Sequence, residues 1–156
     1  MTHAYPKLYL ADARKNLGDY YDFAVNGNHY TLDEAVELLE KSTIAKQFGK
    51  GNPKYIAGRT GRELFLDALF LLGLPEKEEP YHRGLQKPPE YWFGWAIAYY
   101  QWLRNIPFKD IFEKIPPQDI RNLYWPLHEA DERKFVETLD KNLGRKEKSQ
   151  PEMRLR

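Results

Sequence analysis

The sequence has no cysteine, almost no net charge and no long apolar run. Without cysteine among its 156 residues, disulfides, thiolate nucleophiles, iron–sulfur clusters and cysteine-based zinc sites are excluded. Lysine and arginine number 24 against 23 acidic residues, which argues against nucleic-acid binding by a bulk positive field and against an acidic mimic of DNA. The first residues contain no apolar signal region. We therefore expect a cytoplasmic protein.

What the chain does have is helical periodicity. Apolar residues recur every three or four positions across 7–25, and the pairs Thr31/Glu34 and Thr60/Glu63 each match a capping box at a helix start. No segment strongly predicts a strand, although 54–57 could form a short one. The length fits one domain. We predict an all-α fold with a single compact domain of about six to seven short helices.

Proline and charge divide this domain into parts. Residues 75–89 are rich in proline and acidic residues and predict a connector between two helical layers that pack together. Beyond Gly144 the chain carries five basic and two acidic residues, which predicts a basic disordered tail. The predicted organisation is a helical domain 1–144, with an N-terminal layer at about 7–74, the connector at 75–89, a C-terminal layer at 90–144, and a tail at 145–156.

The 23 aromatic residues concentrate in one place. Seven of the twelve residues in 91–102 are aromatic, and no charge lies between Glu90 and Arg104. A helix over about 90–104 is then apolar on every side, so we predict that it is central. Thirteen uncharged residues reach only about 20 Å as a helix, too short for a hydrocarbon core of about 30 Å. We therefore predict no membrane span.

These aromatic side chains have two interpretations. Most of them suit core packing, but tryptophan and tyrosine are also typical anchors of protein interfaces. A base-stacking surface is less favoured, because basic residues normally alternate with the aromatic ones in such surfaces. The candidate partner-binding residues are Tyr91, Trp95, Trp102 and Trp125.

A DNA-binding regulator is an alternative. Two short helices predicted at 108–115 and 117–124 resemble a helix-turn-helix, whose second helix would present Gln118, Arg121 and Asn122 to base edges. Their turn contains two prolines where glycine is usual, so nucleic acid is possible but not favoured.

A small enzyme is a second alternative. The last helix is predicted to open near His128. His128, Glu129 and Asp131 stand at spacings suited to an acid/base pair or a metal site, but acidic residues in a first helical turn also stabilise the helix dipole. The segment 49–54 is basic and glycine-rich like an anion-binding loop, yet it lacks the order of a phosphate loop and fits an interhelix turn. We predict no cofactor and no metal.

Four segments carry a resemblance. They are IAKQF at 44–48, GNPKYIAG at 51–58, YWFGWAIAYYQW at 91–102 and LHEAD at 127–131. The chain resembles, over most of 7–143, a family of uncharacterised small helical proteins of bacteria and their mobile elements, associated with toxin–antitoxin-like gene clusters that contain ADP-ribosyltransferase-like partners. The resemblance implies a bacterial or phage origin and a role beside another protein, and it assigns no catalytic residue.

Together these observations favour a non-enzymatic protein. The sequence shows no convergent set of polar residues and more aromatic residues than a core of this size needs. The leading hypothesis is a helical interaction module of antitoxin or inhibitor type, which masks a toxin or a defence protein. A phage inhibitor of a host defence nuclease belongs to the same physical class.

Overall fold

All the regular secondary structure in the described part of the chain is helical. A computed structural model describes residues 2–145, and within them no strand is present, which confirms the all-α prediction. The helices are α1 Leu10–Asp22, α2 Leu32–Lys41, α3 Ile44–Gly49, α4 Pro53–Ile56, α5 Gly61–Leu71, α6 Pro89–Arg104, α7 Phe108–Lys114, α8 Pro117–Arg121, α9 Tyr124–Leu127 and α10 Glu132–Asn142. Of these, α4, α8 and α9 have only four or five residues, and the other seven agree with the predicted six to seven helices.

Local capping sets several helix starts. Both predicted capping boxes form: Thr31 accepts a hydrogen bond from the Glu34 backbone N–H at 3.0 Å, and Thr60 caps α5 in the same way. The short strand considered at 54–57 was wrong. Asn52 caps a turn of helix there, and the following proline suits a first helical position.

The chain also differs from expectation around Pro126. The sequence predicted that a helix would end before this proline and that the last helix would open near His128. Instead, α9 contains Pro126 within its first turn, where the missing N–H breaks no helical hydrogen bond. The last helix begins later, at Glu132, because the side chain of Asp131 accepts a hydrogen bond from the Arg133 backbone N–H at 2.9 Å.

Helix α6 is the centre of the fold, as predicted. Eleven of its sixteen residues are buried. It packs directly on α1 through two glycines: a Cβ atom added at Gly94 would lie 2.7 Å from the Leu17 carbonyl carbon and 2.9 Å from the Gly18 Cα. The two backbones therefore touch without intervening side chains, and this seam fixes where α6 presents its remaining side chains.

A buried ionic network ties α6 to the elements around it. Asp22 at the end of α1 and Glu90 at the start of α6 are both buried, and the Asn26 side-chain amide donates to both carboxylates, at 2.8 and 3.0 Å. Arg121 of α8 donates to Glu90 at 2.9 Å. Each buried charge thus has polar partners, as its burial requires.

The connector is held against this network. The Arg83 guanidinium contacts the carboxylates of Asp19 and Asp22 at 3.0 Å, and the Tyr81 hydroxyl donates to Asp22 at 2.9 Å. Burial and this hydrogen bond raise the pKa of Tyr81 to about 12. Residues 75–88 thus follow a defined path without regular secondary structure.

Two further predictions concern the C-terminal tail and a membrane span. The predicted disordered tail lies outside the described residues except for Arg145. Within residues 2–145, no helix combines the length and the apolarity needed to cross a bilayer.

Candidate partner-binding surface

Two of the four candidate partner-binding aromatics are enclosed in the fold. Tyr91 is 6% exposed and packs on α1 at Gly18, where an added Cβ atom would lie 2.8 Å from the tyrosine ring. Trp102 is 4% exposed, and its indole N–H donates to the carbonyl oxygen of Tyr5 at 2.7 Å. A partner could reach neither ring without disturbing this packing.

Trp95 is covered by a charged side chain instead. The guanidinium carbon of Arg14 lies 3.4 Å from the centre of the Trp95 ring, and the Arg14 Nε–H donates to the Trp95 carbonyl at 3.1 Å. Burial lowers the pKa of Arg14, and an ion pair with Glu132 at 2.6 Å opposes that change. Arg14 thus joins α1, α6 and α10, and the cation–π contact accounts for the half-buried tryptophan on α6.

Trp125 is the one candidate among these four with a widely exposed ring. It is 71% exposed, on the short helix α9. Its neighbour Tyr124 supports it edge to face, with ring centres 5.0 Å apart, and Tyr124 is itself stacked on His128 at 4.0 Å. The buried Trp92 of α6 packs against Tyr124, with ring centres 5.9 Å apart. We call the exposed faces of Tyr124, Trp125, Pro126 and His128 the Trp125 surface.

The possible catalytic residues belong to this same region. His128 Nδ1 lies 2.7 Å from the Tyr124 carbonyl oxygen, and its Nε2 lies 3.7 Å from the Glu129 carboxylate. Asp131 caps α10, and its hydrogen bonds from Arg133 lower its pKa. Within residues 2–145, no group of three or more histidine and acidic side chains is placed to hold a metal ion. In this geometry His128 contacts the backbone of the preceding helical turn, and Asp131 caps α10.

The possible DNA-reading residues form hydrogen bonds with one another or with a buried residue of the fold. The Gln118 side-chain amide donates to Asn122 at 3.0 Å, and Arg121 points inward to the buried Glu90. Helix α8 has only five residues, which leaves little length for a recognition helix in a major groove. DNA binding stays a prediction without structural support here.

One exposed apolar group was missed from the sequence. Phe70, Leu71 and Leu74 at the end of α5 are 70%, 50% and 42% exposed, and we call them the α5 patch. The sequence could have indicated this patch, because the apolar residues in 64–72 lie on more sides of the helix than the one face that it buries. Isolated exposed apolar residues are ordinary, but three together favour an interaction surface.

The fold and the exposed surfaces define an all-α protein with an aromatic core. Comparison with known proteins finds no family model, no curated protein and no solved structure that matches the chain. The resemblance to small helical proteins of toxin–antitoxin-like clusters therefore stays a prediction.

Proposed function

We propose that this protein is a non-enzymatic interaction module of antitoxin or inhibitor type, which masks a surface of a protein partner through the Trp125 surface. The observation that carries the proposal is the 71% exposure of Trp125 on a supported aromatic base. Tryptophan is among the residues most enriched in interface hot spots. Most of the Trp125 ring is left uncovered by the fold and is therefore available to a partner.

The exposed Trp125 ring can supply a large part of a binding free energy. A partner that covers the exposed part of the ring removes on the order of 140 Å² of mostly apolar surface from water, worth about 3.5 kcal/mol. Because Tyr124 is fixed between Trp92 and His128, the surface beneath Trp125 is already ordered before binding. A pre-ordered surface loses less conformational entropy when a partner binds.

The test is co-expression of the tagged chain with the products of genes beside its own. We expect one of them to copurify, and we expect growth to be rescued if that product is a toxin. Trp125→Ala should weaken the complex by about thirtyfold or more, the effect of losing a hot spot worth about 2 kcal/mol. Leu8→Ala is the matched control, because Leu8 is 78% exposed and lies outside both surfaces.

Two results contradict the proposal in different ways. If the chain purifies as an inert monomer that binds no product of its own operon, the interaction function is wrong. If a partner binds equally well to Trp125→Ala but not to Phe70→Ala, the function stands and the α5 patch replaces the Trp125 surface as the binding site.

A further inference from the structure

The α5 patch is a second apolar face on a helix that already buries one. Nine of the eleven residues in 64–74 are apolar, although burial against a core needs only one face of a helix. The inner face of α5 packs on α1 and α2. Phe70, Leu71 and Leu74 lie outside this packing and are exposed. The patch is therefore surface that another molecule can cover.

The area of the patch fits a small dimer interface. With about 200 Å² for a fully exposed phenylalanine and about 170 Å² for a leucine, the exposed fractions give on the order of 300 Å² of apolar surface per copy. Two patches remove roughly 600 Å² of apolar surface from water, or roughly 900 Å² in total if about 65% of the interface is apolar. This total exceeds most nonspecific contacts and lies below the standard size, which predicts a weak dimer that dissociates on dilution.

The turn that ends α5 holds the patch in a fixed shape. The Leu74 backbone N–H donates to the Leu69 carbonyl oxygen at 2.9 Å, and the Gly73 N–H donates to the Phe70 carbonyl oxygen at 3.1 Å. Gly73 has a φ of 69°, the conformation that such a helix end requires. Because this turn is already formed, a second molecule need not order it on binding.

The charged side chains of α5 are paired within the chain. Asp67 accepts a hydrogen bond from Arg59 at 2.8 Å, Arg62 donates to Glu78 at 2.7 Å, and Glu63 accepts a backbone N–H in the capping box. The adjoining connector residues 76–79 carry both signs. This balance offers no excess charge to an acidic or a basic partner, and it lets two identical copies approach without strong repulsion.

The apolar side chains are arranged symmetrically around Phe70. Leu66, Phe70 and Leu74 are spaced four residues apart and thus follow one stripe along α5, with the half-buried Leu66 at its inner end. When a second α5 runs antiparallel across Phe70, Leu66 of each copy faces Leu74 of the other. A twofold contact requires this kind of self-complementary surface.

We propose that two copies of this chain associate through their α5 patches, with the two α5 helices antiparallel and Phe70 on the twofold axis. The Trp125 surface takes no part in this contact, since α9 packs on α6 whereas α5 packs on α1 and α2. The dimer does not depend on the proposed function. Where that function holds, the dimer presents two Trp125 surfaces.

Sedimentation velocity of the full chain, from micromolar to millimolar concentration, tests the association. We expect the sedimentation coefficient to rise with concentration to the value of a dimer, because an interface of this size is weak. A chain that sediments as a monomer at millimolar concentration overturns the proposal. Growth beyond a dimer also overturns it, since a twofold contact closes on itself.

Substitution at the axis locates the contact. Phe70→Glu should weaken self-association by about a hundredfold or more, because the dimer would bring two carboxylates together. Leu85→Glu is the matched control, since Leu85 is fully exposed and lies outside the patch, and it should change association little. Association that Phe70→Glu does not weaken, or that both variants weaken equally, overturns the assignment. If circular dichroism shows that Phe70→Glu does not fold, Leu74→Glu takes its place.

The absence of cysteine makes the arrangement of the two helices testable by disulfide formation. Chains with Leu66→Cys and chains with Leu74→Cys, mixed in equal amounts and oxidised, should form the mixed disulfide about tenfold or more faster than either forms its own. In the antiparallel pair, positions 66 and 74 of different copies meet, whereas the two positions 66 are about 12 Å apart along the helices, too far for a disulfide. Equal rates for the mixed disulfide and the two others overturn the antiparallel pairing about Phe70.

Discussion

The contact between α1 and α6 makes a quantitative prediction for Gly94→Ala. The added methyl group meets backbone atoms, 2.7 Å from the Leu17 carbonyl carbon and 2.9 Å from the Gly18 Cα. Ordinary carbon contacts are about 3.5 Å or longer, so the helices must separate by about 1 Å. No side chain can rotate away to relieve this overlap, and the whole seam between the two helices opens.

The magnitude follows from two opposing effects. Replacing glycine by alanine within a helix favours folding by about 1 kcal/mol. Overpacking costs typically about 1–3 kcal/mol, and we take the upper end because the clash is with backbone. The net loss is about 2 kcal/mol of unfolding free energy, or a fall in Tm of about 4–8 °C for a domain of this size.

Urea unfolding followed by circular dichroism measures this loss. The midpoint should fall while the slope of free energy against urea stays constant, because the surface exposed on unfolding is unchanged. Gly84→Ala is the control, since nothing lies within 4 Å of an added Cβ atom there, and it should change stability by less than about 0.5 kcal/mol. A Gly94→Ala protein as stable as the native chain refutes the backbone-to-backbone seam.

Four further stability predictions concern single side chains. Thr43→Gly should raise the unfolding free energy by about 0.5 kcal/mol by relieving the φ of 66°, whereas Thr31→Ala should lower it by about 1 kcal/mol through loss of a helix cap. Tyr100→Phe should lower it by about 1–3 kcal/mol, because the buried Asp140 loses a hydroxyl donor at 2.6 Å. Glu40→Gln should change how stability depends on pH. Burial raises the pKa of Glu40, so its carboxyl group favours folding below its unfolded pKa and loses that contribution as the pH rises through the folded value.

Each of these has its own measurement. Urea midpoints at neutral pH compare the two threonine variants, and a loss of stability in Thr43→Gly contradicts the strain. For Tyr100→Phe, an unchanged midpoint shows that Asp140 finds full compensation in Arg104, which donates to it at 2.7 Å. For Glu40→Gln, the gain over the native chain should be larger at pH 7 than at pH 4. A gain that is the same at both pH values contradicts this effect of Glu40 burial.

Local signals predicted the helices well. Thr31 and Thr60 cap their helices as the sequence indicated, since a capping box involves residues only three positions apart. The uncharged run 91–102 predicted a central helix because a helix with no polar side must be surrounded. The predicted helix boundaries around Pro126 were wrong. A proline can end one helix or stand in the first turn of the next, and the local sequence does not distinguish these two cases.

The binding surface was less predictable because it depends on contacts distant in sequence. Arg14 covers Trp95 from 81 positions away, and Tyr5 accepts the Trp102 indole N–H from 97 positions away. Aromatic content alone could not separate these enclosed rings from Trp125. Gln101 shows the same limit, since its side-chain N–H donates to the Gly49 carbonyl oxygen from 52 positions away.

The packing of α6 against α1 bears on how the proposed masking of a partner would work. Trp92, which supports the Trp125 surface, lies two residues before Gly94 on this helix. A partner on Trp125 could alter the rest of the fold through α6 only if this helix shifted against α1. The contact between Gly18 and Gly94 opposes such a shift because backbone atoms already touch. We therefore expect the proposed masking to act by direct occlusion and not by refolding of this chain.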